Sequence, residues 1–175
     1  MAKRLSEKVI FETKLFKIKD IDIEFSSGKK VTYQSIEKSP TALIVPITAD
    51  NKVILIREYF YAIDERQISL PKGRIDEGMD ALATANKELQ EEIGFKAGKL
   101  DKLGVLTIAP GYYTQRTHVF LARDLSESKL PGDEDEEIEV LSTPLDKVDE
   151  LIESGQITEA RVIAALYLAR RFLNK

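Results

Sequence analysis

Cysteine is absent from this 175-residue chain, and histidine occurs once. Those gaps exclude disulfides, cysteine nucleophiles, thiolate zinc sites and any histidine-rich metal centre, so a metal held here must be held by oxygen. Also missing is any run of about eighteen apolar residues, the length a membrane-spanning helix needs. The start, Met1-Ala2-Lys3-Arg4-Leu5-Ser6-Glu7, lacks the apolar core of a signal peptide. A basic excess is missing too: the net charge is −4 and no Lys/Arg block occurs, which argues against a dedicated nucleic-acid surface. The expectation is a cytoplasmic protein that binds neither nucleic acid nor membrane. With 43% hydrophobic and 32% charged residues, the chain suits one globular domain, or one domain with a small extension.

Hydrophobic periodicity predicts the elements. Phe16, Ile18, Ile21, Ile23 and Phe25 follow a period of two with a slip near Lys19-Asp20, and Ser26-Ser27-Gly28-Lys29 reads as a hairpin turn into 31–36. Residues 1–40 are therefore expected as an antiparallel β-meander subdomain, with 41–175 as the main domain. Thr41 to Ile47 and Lys52 to Tyr59 read as a second hairpin whose apolar runs are buried on both faces. Gln67 to Leu70 is a short strand. Asp80 is the expected N-cap of a helix through Ile93 that Gly94 ends, with Leu82, Ala85, Leu89 and Ile93 facing the core. Further strands are expected at 100–108, 117–122 and 138–141, and helices at 145–153 and 159–173. His118, inside one such strand, reads as a structural residue.

The chemistry is concentrated in one segment. A glycine-punctuated turn, Pro71-Lys72-Gly73-Arg74-Ile75-Asp76-Glu77-Gly78, leads into a helix carrying Glu88, Glu91 and Glu92. Residues three and four apart are helical neighbours, and like charges at that spacing repel by a few tenths of a kcal/mol. A hard divalent cation that favours carboxylate and water oxygens turns the repulsion into a ligand set. A solvated acidic helix face is the plainer alternative.

The run from Gly73 to Phe95 resembles the Nudix box: Gly, five residues, Glu, seven residues, Arg-Glu, two residues, Glu-Glu, one residue, Gly and an apolar residue. The spacing matches throughout, with Met79 at the first Glu and Lys87 at the Arg. The resemblance implies an α/β/α sandwich with a mixed sheet, with Glu88, Glu91, Glu92 and the Lys72 carbonyl holding Mg²⁺, or Mn²⁺ as the alternate ion. Met79 and Lys87 fall where the family braces its loop and helix, and they read as a paired change; an ammonium lacks the bidentate fork of guanidinium.

Pro110 stands sixteen residues after Gly94, an offset by which Nudix enzymes acting on ADP-ribose resemble one another. The strand ending Arg57-Glu58-Tyr59 and the segment Gly155 to Ala160 also resemble that subgroup. The resemblance implies hydrolysis of ADP-ribose, or of a related ADP-linked compound, to AMP and a sugar phosphate. Arg57, Tyr59, Pro110, Gly111 and Arg116 are its expected substrate contacts. Its catalytic base is expected in the acidic stretch 133–137, on Glu134 with Glu136 in reserve, while Glu91 is the catalytic member of the metal set. An N-terminal extension of this kind packs on a second copy in the family, so a homodimer is expected. Two alternatives stay open: another nucleoside diphosphate sugar, adenosine dinucleotide or NADH as substrate, or a catalytically weak Nudix-fold binding module.

Overall fold

The computed structural model describes residues 1–132 and 138–175. The chain divides into two compact units, Met1–Pro40 with Thr107–Arg116, and Thr41–Leu106 with Thr117–Lys175.

In the first unit β1 (Lys3–Glu12), β2 (Lys17–Glu24) and β3 (Lys30–Glu37) form an antiparallel meander in sequence order. Gly28, at φ 79°, closes the β2–β3 turn where the Phe25 and Lys29 backbones bond at 2.9 Å. The unit extends beyond the contiguous 1–40 stretch, because 107–116 is fastened to β3. The Ile36 amide donates to the Tyr112 carbonyl at 2.7 Å, the Thr114 amide to Ile36 at 3.0 Å, and the Gln115 side chain to the Ser39 carbonyl at 3.0 Å.

In the second unit two sheets make one β-layer. One is mixed, ordered β7 (Lys72–Arg74), β4 (Thr41–Pro46), β9 (Arg116–Glu127), β8 (Phe95–Thr107). The other is antiparallel, ordered β10 (Glu139–Pro144), β5 (Lys52–Phe60), β6 (Glu65–Ser69). Alternation splits the strands between two cores. Leu43, Val45, Val53, Leu55, Val119 and Leu121 pack with α2 (Val148–Glu153) and α3 (Ala160–Leu173). Ala42, Ile44, Ile54, Ile56, Phe120 and Ala122 pack with α1 (Ala81–Glu88). Strands buried on both faces carry the near-continuous apolar runs seen in the sequence.

The expected β4–β5 hairpin is corrected. The two strands meet only at the turn, through an Ile47–Val53 bridge and the bond from the Thr48 amide to Lys52 at 2.9 Å. Beyond it they diverge, because β6 takes the edge of β5 and β7 takes that of β4. The Ile44 amide bonds to Pro71 instead, at 2.9 Å. The glycine turn is thereby fixed as a strand against the main sheet.

Three further expectations shift. The helix from Asp80 changes character at Leu89: residues Leu89–Ile93 form a π turn. Leu82 is exposed, and Thr84 joins Ala85 and Leu89 in the buried set. β8 starts at Phe95, directly after Gly94, rather than at 100. The Asp80 cap is present, its carboxylate accepting from the Ala83 amide at 3.1 Å. Asp80→Ala is expected to cost about 1 kcal/mol, lowering the melting temperature by about 2–4 °C in a protein of this size, as differential scanning calorimetry would register. An unchanged transition would refute the cap's contribution.

Candidate active site

The segment from Pro71 to Gly94 folds back on itself, so that the glycine turn lies against the glutamate-bearing turn. Glu92 is 6% exposed, and its Oε2 accepts from the Lys72 amide at 3.0 Å. The Glu88 carboxylate lies over Gly73, where any Cβ would overlap it. A glycine is required there for close approach, since Gly73 does not have positive φ. Burial pushes the Glu92 carboxyl well above its ordinary value of 4.5; the Lys72 charge and amide oppose this, while the Glu58 and Glu88 carboxylates reinforce it.

The π turn explains why Glu91 and Glu92 differ. It is one residue wider than an α turn, and such turns occur often at functional sites. Its terminal carbonyls are satisfied by the chain after β9 rather than by further helix. Lys129 Nζ donates to the Glu91 carbonyl at 2.6 Å, the Leu130 amide to Gln90 at 3.1 Å and the Ser128 amide to Gly94 at 2.9 Å. Gly94, at φ 75°, reverses the chain. Glu92 and Ile93 are consecutively buried, whereas Glu91 is half-buried and paired with Lys87 one turn back.

Glu58 is the site residue the sequence reading passed over. Alternation along β5 puts it on the face of Ile54 and Ile56, the face that packs against the glutamate-bearing turn. Its carboxylate pairs with the Lys72 ammonium, which also bonds Ser69 Oγ at 3.2 Å and lies 5.1 Å from the Phe60 ring centroid. The period of two in Ile54, Ile56, Glu58 was the available signal.

Arg57 and Tyr59 follow the opposite alternation: Arg57 bonds Glu139 at 3.0 Å and the Tyr59 hydroxyl donates to Asp64 at 2.6 Å. Pro110, Gly111 and Arg116 are exposed and belong to the first unit. Glu134 and Glu136 lie outside the described residues. Met79 is exposed, its amide donating to Asp76 at 3.0 Å. His118 sits in β9 opposite Ala42, away from the glutamates in sequence and pairing. A cavity of about 270 Å³ lined by Ile47, Thr48, Phe95, Arg123 and Asp124 includes none of the candidates.

The donor chemistry fits a hard divalent ion: the Glu88 carboxylate beside a glycine turn, and a buried Glu92 carboxyl whose charge Lys72 offsets only in part. Among the described residues no three carboxylates already converge as a closed ligand group. Glu58 and Glu91 each hold a lysine instead.

Such a glycine turn and glutamate turn, built on a mixed α/β layer, define a family. NUDIX domain proteins match residues 37–166, and this chain belongs to the Nudix family of hydrolases, which are generally dependent on divalent metals. It is 35% identical over 172 residues to the ADP compounds hydrolase NudE of Escherichia coli (strain K12), a match spanning 97% of this chain and 92% of that one. It is 30% identical over 171 residues to the ADP-ribose pyrophosphatase of Bacillus subtilis (strain 168), spanning 94% and 92%. A crystal structure of an ADP compounds hydrolase matches the fold with a TM-score of 0.89 at 34% identity, covering 99% of this chain and 94% of that one. Among the described residues no helix is long and apolar enough to cross a membrane.

Proposed function

We propose that this Nudix hydrolase cleaves the pyrophosphate of ADP-ribose or a related ADP-linked compound, with Mg²⁺ as its working ion. The observation that carries the reading is the buried Glu92, bonded to the Lys72 amide beside Glu88 and Glu58, in a chain related along nearly all its length to enzymes named for ADP compounds. Glu88, Glu91, Glu92 and the Lys72 carbonyl would hold the ion. When bound, it supplies positive charge against the pyrophosphate and lowers the pKa of an attacking water.

The protein's own groups then divide the work. The β7 pairing and the Lys72–Glu92 bond keep the oxygens of the site in place. Glu134, or Glu136, accepts the water's proton as general base. Arg57 and Arg116 offer positive charge to phosphate oxygens, Arg57 by exchanging Glu139 for one, and Tyr59, Pro110 and Gly111 complete the nucleotide contacts. One water adds, one P–O bond of the anhydride breaks, and AMP and a sugar phosphate leave. The protein acts as a homodimer, supported by β1, whose Leu5, Val9, Ile10 and Phe11 are all exposed.

Purified protein incubated with Mg²⁺ and a panel of ADP-ribose, NADH, adenosine dinucleotides and GDP-sugars is expected to release AMP fastest from an ADP-linked member. Faster turnover of a GDP-sugar would move the substrate class. Binding without turnover across the panel would replace the enzyme reading with that of a binding module, which Met79 and the Lys87–Glu91 pair favour.

A further inference from the structure

Lys72 meets the site twice, and only its backbone has a part in the proposed reaction. Its side chain is 15% exposed and reaches back to β5, where Glu58, itself 19% exposed, takes its charge. Ser69 Oγ at 3.2 Å and the Phe60 ring at 5.1 Å complete the surroundings of the ammonium. Ser69 is fully buried and held in register opposite Ile56. A half-buried cation so enclosed has few other resting places. The competing anions beside this residue are those of the site: the Lys72 amide bonds Glu92 at 3.0 Å, and the Glu88 carboxylate lies over the adjacent Gly73. Breaking such a pair leaves the surviving charge uncompensated, and it moves to the next opposite charge within reach.

We propose that Glu58 is the counter-ion that holds the Lys72 ammonium off the Glu88 and Glu92 carboxylates, and so sets how tightly the site takes up a divalent cation. The inference rests on the proposed metal-binding role of those glutamates. Glu58 and Lys72 act as positioning residues. The device is electrostatic, so its two halves pull in opposite directions. Without Glu58 the ammonium competes with the incoming cation for Glu92; without the ammonium, the carboxylates keep more of their negative charge for it.

The test is Mn²⁺ binding to the full chain without substrate, by isothermal titration calorimetry, with circular dichroism and melting curves as controls. Glu58→Gln is expected to weaken Mn²⁺ binding about tenfold, the lower end of the effect of losing a partner beyond the ligands. Lys72→Met is expected to strengthen it several-fold, and the double variant to return close to the parent protein. Glu58→Asp, which keeps the charge on a shorter arm, gives the same sign as Glu58→Gln at smaller size and serves if Glu58→Gln does not fold. Loss of affinity in both single variants, in step with a lower melting temperature, would mean a merely structural pair and overturn the proposal, as would no change in either. Glu92→Gln separates the two levels: unaltered Mn²⁺ binding there overturns the metal site itself, whereas weakened binding there with same-sign effects at Glu58 and Lys72 overturns only the counter-ion.

Discussion

Glu92→Gln is expected to lower kcat by a factor on the order of 10²–10³, while leaving the protein at least as stable as before at neutral pH. The first effect follows from the proposed metal-binding role of Glu92, since glutamine would remove one charged oxygen from the ion's ligand set. The second follows from burial. Glu92 is 6% exposed, its carboxyl is pushed well above 4.5 chiefly by desolvation, and glutamine keeps an oxygen to accept the Lys72 amide. A group whose folded pKa is raised favours the folded state fully below its unfolded value, near 4.5. That contribution is lost as pH rises through the folded pKa. Without added divalent ion, the stability of the parent protein relative to Glu92→Gln should therefore be highest at acid pH and fall as pH rises. Urea unfolding of both proteins across that range measures the difference directly. Parent-like turnover in the variant would remove Glu92 from the machinery, and a flat difference would mean its carboxylate is compensated by other means.

Gly73→Ala is expected to reduce turnover about 100-fold, by displacing Glu88, a proposed ligand, rather than by unfolding the chain. A Cβ at Gly73 would occupy the space of the Glu88 carboxylate, the far end of a flexible side chain that can rotate away. Gly73 pairs with Ala42 in a regular strand and has no positive φ, so alanine brings no backbone strain. The melting temperature should stay within a few degrees. If displacement of Glu88 is the mechanism, the double variant Gly73→Ala/Glu88→Ala should be no worse than Glu88→Ala alone, the non-additivity expected of residues acting through one group. Kinetics of the three proteins check this; additive losses would show that Gly73 acts through something else.

Most elements were legible because their signals are local. The alternation in 17–37, the Asp80 cap, Gly94 as the stop and the apolar face of 160–173 each depend on neighbours a few residues away. The β4–β5 hairpin failed because a sequence shows which strands are buried but not which edges they share. Strand β7, too short to announce itself, occupies the edge the hairpin would have used. The π turn was hidden likewise, since its carbonyls are answered by Ser128, Lys129 and Leu130, more than thirty residues further along the chain.

For the site the division is similar. Spacing placed Glu88, Glu91 and Glu92 behind a glycine turn, and the resemblance of that segment to the Nudix box pointed to the family that NUDIX domain matching bears out. The contrast among those three glutamates was invisible, as was Glu58.

The sequence by itself determined the class of chemistry: without cysteine, with one histidine, and with glutamates at helical spacing, a metal here can be held only by oxygen. Only the tertiary structure decided which carboxylate is buried, which is tied to a lysine, and that Glu58 on a different strand joins them. The physical reason is that ligand identity is a property of side chains, whereas the energy of a charge depends on what surrounds it, and those surroundings come from segments distant in the chain.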